Sequence, residues 1–220
     1  MEVGPGKGIL TEVLLQKAKK VIAVEKDEKL AEFLKEKFAT EINNGKLKII
    51  FGDILQSQIS NLKSKKFKYK IIANIPYYIT SRFLRTFLES DFQPSMMVLM
   101  VQKEVAERIV GIKESLLSIS VKSYGRPEII RKVPAGYFSP APKVDSAVLK
   151  ISGISKDFFQ NINENKFFET VKKGFSQKRK MLINNLKANK EIFRACNIGE
   201  KARAEEVSLE QWKCLTFWMT

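Results

Sequence analysis

Alternation constrains this chain most: short runs of continuous apolar, β-forming residues at 21–24, 47–51, 69–73 and 96–101 are separated by amphipathic stretches. Helical patterns occupy 10–19, 28–38 and 81–88, the second with Leu30, Phe33, Leu34 and Phe38 on one face. Strands apolar on both faces, with helices between them, predict a mainly parallel sheet covered on both sides, an α/β architecture. Two later β runs, 128–133 and 146–151, are joined by the proline-rich 134–145 rather than by a helix. That predicts an antiparallel hairpin at one edge of the sheet. Past a composition change at 152–157 the pattern is helical only. There Phe168, Val171, Phe175, Leu182 and Leu186 form an apolar stripe faced by Lys173, Gln177, Lys180, Asn184 and Lys187. The chain therefore divides into a sheet domain, 1–155, and a small all-α domain, 156–220.

The 220 residues carry 39 Lys and Arg against 24 Asp and Glu, a formal charge of +15 spread over both parts. Such a field favours a polyanion, either nucleic acid or an anionic membrane surface. No amphipathic helix of the membrane-surface kind accompanies it, and the longest apolar run, 96–101, is far short of the roughly 18 residues that cross a bilayer. Nucleic acid is the expected partner and a membrane is not. Lys63, Lys65, Lys66, Lys68 and Lys70, and the basic residues along 172–190, are candidate contacts to it. Histidine is absent, which removes Ser-His and Cys-His nucleophiles, imidazole bases and His-containing metal sites. Cys196 and Cys214 are too few for a zinc site, so no metal is expected. Taken as a pair of thiols, and with no signal peptide at the N-terminus, they indicate a reducing, cytoplasmic location. A monomer is the default oligomeric state.

The chemistry-bearing segments sit where strands of such a sheet end. Residues 2–8, EVGPGKG, place Gly4, Gly6 and Gly8 in alternation behind Glu2, just before the first helix. Glycines let a ligand approach the backbone, and a helix start offers unpaired N–H groups. A dinucleotide fingerprint needs glycine at position 9, where Ile9 stands. The alternating pattern instead suits S-adenosylmethionine, whose structure has no pyrophosphate. Glu25 stands at the carboxyl end of the next strand, where a carboxylate accepts both hydroxyls of a ribose. Asp53 and Ile54 follow the strand at 47–51; there the aspartate accepts from an adenine amino group and Ile54 packs on the ring. A tight turn with a surface glutamate, and a turn or N-cap aspartate, are the structural alternatives for these segments.

Asn74-Ile75-Pro76-Tyr77 follows the strand at 69–73, again at the carboxyl edge. An adenine amino nitrogen is a poor nucleophile because its lone pair is delocalised into the ring. Two acceptors on its hydrogens, the Asn74 side-chain oxygen and the Pro76 carbonyl, favour a more tetrahedral nitrogen. Tyr77 supplies a stacking face for a base taken out of its helix. In 138–146, FSPAPKVDS, a rigid proline segment could present Phe138 as a second face, with Lys143 near a phosphate; a core phenylalanine and a solvated lysine are the structural alternatives.

In this order EVGPGKG, VEKD, GDIL, NIPYYIT, MVQKEVAERI, FSPAPKVDSAV and FSQKRKMLINNL resemble the ribosomal RNA adenine N6-dimethyltransferases of the KsgA type over essentially the whole chain. The resemblance implies a class I S-adenosylmethionine-dependent methyltransferase, Rossmann-like, with a small helical C-terminal domain. Its implied reaction is dimethylation of two adjacent adenines in a hairpin near the 3′ end of small-subunit (16S) ribosomal RNA, making the small-subunit precursor the partner. By match of motif, Glu2, Gly4, Gly6, Glu25, Asp53, Ile54 and Asn74 contact the cofactor. Asn74, Pro76, Tyr77 and Phe138 hold the base. Two other functions stay open: a large-subunit methyltransferase of the antibiotic-resistance type, which shares NIPY and the FxPxPKV segment, and a non-catalytic RNA-binding assembly factor. Family members begin some tens of residues earlier, so the resemblance implies that a lid and most of the first strand are missing here: either the start is misassigned or the sequence truncated, the reading the intact downstream motifs favour, or the chain binds the cofactor poorly.

Overall fold

In the computed structural model, which describes residues 1–56, 68–139 and 141–219, the first strand, β1 (Glu2–Val3), has only two residues. It lies between β2 (Val21–Glu25) and β4 (Lys70–Asn74), parallel to both. Outside them run β3 (Leu47–Phe51) and β5 (Met96–Gln102), also parallel. The hairpin β6 (Arg126–Val133) and β7 (Ser146–Ser152) completes seven strands in the order β3-β2-β1-β4-β5-β7-β6, with β7 antiparallel to β5. The edge hairpin and the parallel core are as the sequence predicts, with strand ends shifted by at most two residues. Pro127, which lacks an N–H, sits on the outermost strand, where a missing ladder bond is tolerated. Lys63, Lys65, Lys66 and Pro140 lie outside the described residues.

Glu2 is the polar exception inside the sheet. It is 1% exposed; the Thr11 hydroxyl donates to its Oε2 at 2.7 Å, and Oε1 has no hydrogen-bond partner. Burial holds its carboxyl above the usual carboxylate range. The Thr11 hydroxyl pulls the other way, and the Glu25 charge adds to the rise.

Helices α1 (Ile9–Lys17), α2 (Glu28–Lys37), α3 (Ala39–Asn43) and α4 (Thr80–Leu88) connect the parallel strands. Two further helices, α5 (Lys103–Val110) and α6 (Leu116–Lys122), occupy a stretch the strand-and-helix pattern left unassigned. They are short, and what marks them is local: Ala106 and Ile109 buried three apart, and a capping box between Ser115 and Ser118. One apolar cluster covers a face of the sheet with Met97, Leu99 and Val101 from β5, and a smaller one around Leu15, Leu34 and Phe38 covers the outer strands β2 and β3.

Beyond residue 155 come α7 (Glu164–Gly174), α8 (Leu182–Leu186), α9 (Lys190–Ala195) and α10 (Leu209–Trp218). The larger cluster continues into them through Phe159, Phe167 and Trp212, and Tyr124 packs its ring on Phe159 and Phe168. The helical stripe at 168–186 divides at Gly174. Asn185, buried at 9% exposure, donates from Nδ2 to the carbonyls of Gly174 (2.7 Å) and Gln177 (3.1 Å), and so stabilises the non-helical turn between α7 and α8. A second expectation is overturned. Cys196 and Cys214 are not two thiols but one disulfide, with Cα atoms 5.6 Å apart, because α9 and α10 pack side by side. The pair of free thiols that would indicate a reducing compartment is thus absent among the described residues. Among the described residues no helix is long and apolar enough to cross a membrane.

A Cβ at Gly174 would run into the Trp212 ring and stand 2.7 Å from Leu182 Cδ1. Gly174→Ala should therefore lower stability by about 1–3 kcal/mol in denaturant unfolding, overpacking outweighing the gain in helix propensity. Glu2 gives a pH-dependent test. A carboxyl whose folded pKa is raised adds stability below its ordinary 4.5 and loses it as pH climbs through the folded value. Glu2→Gln keeps an acceptor for Thr11, so its unfolding free energy at pH 7 should equal or exceed that of the parent, the advantage vanishing below pH 4.5. A variant clearly less stable at pH 7 contradicts this.

Candidate active site

The sheet reverses direction of growth at β1: the chain builds β2 and β3 on one side, β4 and β5 on the other. In such sheets the crevice beyond the carboxyl ends at this switch point is where ligands bind. The glycine turn after β1, residues 53–54 after β3 and residues 74–77 at the end of β4 all lie at this edge.

The glycine turn leaves β1 with the Gly4 N–H donating to the Val24 carbonyl at 3.0 Å. Gly4 adopts φ 68°, and a Cβ there would stand 3.5 Å from the Asn74 carbonyl oxygen, so the turn passes directly beside the end of β4. Gly8, at φ 81°, starts α1 and leaves no room for a side chain against Phe38 and Leu34. Gly6 lies between them and donates its N–H to Glu25 Oε2 at 3.1 Å.

Glu25, 7% exposed, closes this arrangement from β2. Its Oε1 accepts from the Lys26 and Asp27 N–H groups at 2.8 and 3.0 Å, so three backbone donors fix the carboxylate in place. Asp53, after β3, accepts from the Leu55 N–H at 2.9 Å, and its Oδ2 pairs with Lys26 Nζ at 3.0 Å. The Leu55 N–H, and then Lys26, hold the Asp53 carboxyl below the usual range. Ile54 is 6% exposed and belongs to the main core.

Asn74 is the last residue of β4, in register with Met100 of β5, and is exposed to the crevice edge. Ile75 is buried at 3%, which anchors the turn, while Pro76 is exposed. The Pro76 carbonyl accepts from the Ile79 N–H at 3.2 Å, closing a 3-10 turn over Tyr77–Ile79. Tyr77 is half-buried, and its hydroxyl meets Ser146 Oγ at 2.5 Å. Phe138, also half-buried, follows a second 3-10 turn, Ala135–Tyr137, and Lys143 is exposed farther along that loop.

The structure thus brings Gly4 to Asn74, Gly6 to Glu25, and Tyr77 to the strand that continues the Phe138 loop. It draws in two residues that sequence reasoning passed over. Lys26 carried a signal, since it directly follows Glu25 in VEKD. Ser146 carried none, being one polar residue at the start of a β run. Among the described residues no group of three His, Cys, Asp or Glu is arranged to hold a metal ion.

Residues 1–219 match the family described as "Ribosomal RNA adenine dimethylase". A ribosomal RNA small subunit methyltransferase A of Dehalococcoides mccartyi is 42% identical over 225 residues, covering 98% of this chain and 76% of its own length. The protein of that name in Clostridioides difficile is 40% identical over 231 residues, covering 98% and 79%. Among solved structures, a dimethyladenosine transferase from Plasmodium falciparum superposes with a TM-score of 0.81 at 26% identity, over 97% of this chain and 86% of its own. The 23S rRNA methyltransferase ErmE superposes with a TM-score of 0.76 over 98% and 88%, and at 23% identity it shows the common fold. A match along essentially the whole sequence, with relatives at about this level of identity, means that the chain belongs to the ribosomal RNA adenine dimethylase family of methyltransferases.

Proposed function

We propose that this protein uses S-adenosylmethionine to dimethylate N6 of two adjacent adenines in the 3′-terminal hairpin of small-subunit ribosomal RNA. The observation that carries the reading is the placement of Asn74, whose side-chain oxygen is the proposed acceptor, at the carboxyl end of β4, its backbone oxygen 3.5 Å from the position a Gly4 side chain would take. An acceptor for a target amino group and a turn built for close ligand approach therefore share one edge of the sheet.

The residues present fit the cofactor. Glu2 Oε1 is buried without a partner, and the Glu25 carboxylate lies close enough to raise the Glu2 pKa. A buried carboxyl oxygen with an unused acceptor site, beside a second carboxylate, suits a ligand that brings hydrogen-bond donors and positive charge. Glu2, Gly4, Gly6, Glu25, Asp53, Ile54 and Asn74 would hold it, Glu25 at the ribose and Asp53 with Ile54 at the adenine. When bound, S-adenosylmethionine supplies a methyl group activated by its sulfonium sulfur.

This chain's own residues act on the base. The Asn74 side-chain oxygen and the free lone pair of the Pro76 carbonyl accept the two hydrogens of the target amino group, which draws the nitrogen lone pair out of conjugation with the ring. Tyr77 and Phe138 hold the extruded ring between them. On transfer the S–CH3 bond would break as the N–CH3 bond forms, leaving a neutral thioether, and the methylated nitrogen would give one proton to water, so the absence of histidine is no obstacle. The helical part, 156–220, grips RNA, with Gln177, Lys178, Arg179 and Lys180 all exposed on the turn that Asn185 holds. The protein acts as a cytoplasmic monomer on the precursor of the small subunit.

With labelled S-adenosylmethionine and under-methylated small subunits, label should appear at adenine N6. Asn74→Ala should reduce transfer by roughly a hundredfold or more while thermal unfolding stays unchanged. Transfer confined to large-subunit RNA would replace this reading with the resistance-type activity. Salt-sensitive subunit binding by a chain that transfers nothing would replace it with an assembly factor.

A further inference from the structure

We infer that Ser146 is a positioning residue that clasps the two base-holding loops together through the Tyr77 hydroxyl. The inference rests on the reading that Tyr77 holds the target base. Tyr77 opens the 3-10 turn after β4, and Ser146 opens β7, 69 residues away in sequence. Their oxygens are 2.5 Å apart, and Ser146 is fully buried at 0% exposure, paired in register with Gln102 of β5 and Val133 of β6. A hydroxyl fixed by two neighbouring strands is a rigid anchor. The tyrosine ring that it holds, by contrast, stands on a single turn and is only half-buried. A buried hydroxyl needs a partner, and the tyrosine supplies it.

The residue before Ser146 fixes the other loop. Asp145 Oδ1 accepts from the Ala135 N–H at 3.1 Å, tying together the two ends of the segment that carries Phe138. The Asp145 carbonyl accepts from the Lys103 N–H at 2.9 Å, and its Oδ2 lies 3.7 Å from Lys103 Nζ. Consecutive residues therefore anchor the Phe138 loop to the start of α5 and the Tyr77 ring to β7. A planar base held between two rings needs both faces in register, and this joint sets their relative position. Neither Ser146 nor Asp145 has to touch the base to do so.

The test is a double-mutant cycle on single-turnover methyl transfer, with KM for under-methylated small subunits measured alongside. Tyr77→Phe removes only the hydroxyl and keeps the ring, while Ser146→Ala removes the anchor. Each should lower the transfer rate by roughly ten- to a hundredfold with KM little changed, and the double variant should be no slower than the worse single one. Tyr77→Phe keeps the measurement informative if Ser146→Ala unfolds. Losses that multiply in the double variant would overturn the clasp, as would Tyr77→Phe transferring at the parental rate while Tyr77→Ala is impaired. Parental transfer by Tyr77→Ala would overturn the base-holding role of Tyr77, and the clasp with it.

Discussion

The geometry of the crevice depends on how a strand of two residues is held in the middle of a seven-stranded sheet. Glu2 and Val3 pair with Ala23 and Val24 on one side and with Ile72 and Ala73 on the other. The Gly4 N–H adds one more bond, to Val24, before the chain turns away. Backbone groups buried in a sheet must be paired, so these few bonds determine where the glycine turn leaves and how near it runs to Asn74. The turn can run that close only because Gly4 and Gly8 adopt positive φ where a side chain would be strained.

Charge is distributed against the same framework. The chain carries +15, yet the carboxylates of Glu2, Glu25 and Asp53 are gathered along this one edge. Three backbone N–H groups donate to the Glu25 carboxylate, and Lys26 with the Leu55 N–H does the same for Asp53. Among the described residues the Glu2 carboxyl accepts a hydrogen bond only from the Thr11 hydroxyl, and its Oε1 has no hydrogen-bond partner. A basic exterior attracts a polyanion over distances on the order of the ~8–10 Å Debye length, whereas a small cation is sensed at contact. The two fields therefore act over different distances.

The helical part is joined to the sheet by packing rather than by a linker. Tyr124 reaches from the end of α6 to the Phe159 and Phe168 rings, and its hydroxyl donates to Glu164 at 2.5 Å. Trp212 fills the space that Gly174 leaves, and stacks on Phe175. Burial, and then the Glu164 carboxylate, push the Tyr124 phenol far above its usual value, which favours its role as a hydrogen-bond donor to Glu164. The exposed basic turn at 177–180 thus rests on an aromatic scaffold continuous with the sheet core.

By itself the sequence determined the alternation of strands and helices, the edge hairpin, and the strand ends that carry Gly4, Glu25, Asp53 and Asn74. Each of these is set by residues within a few positions of one another: apolar periodicity, a glycine turn, a proline-rich connection. The same locality makes the caps readable, as with Asp27 accepting from Leu30 N–H. Tertiary structure alone decided what lies far apart in the chain or depends on facing volumes. Ser146 meets Tyr77 across 69 residues, and Cys196 joins Cys214 across 18, with nothing in either local pattern to announce it. The stripe at 168–186 reads as helix throughout because periodicity records only which face is apolar. It breaks at Gly174 because Trp212 and Asn185, which occupy and brace that corner, belong to other elements.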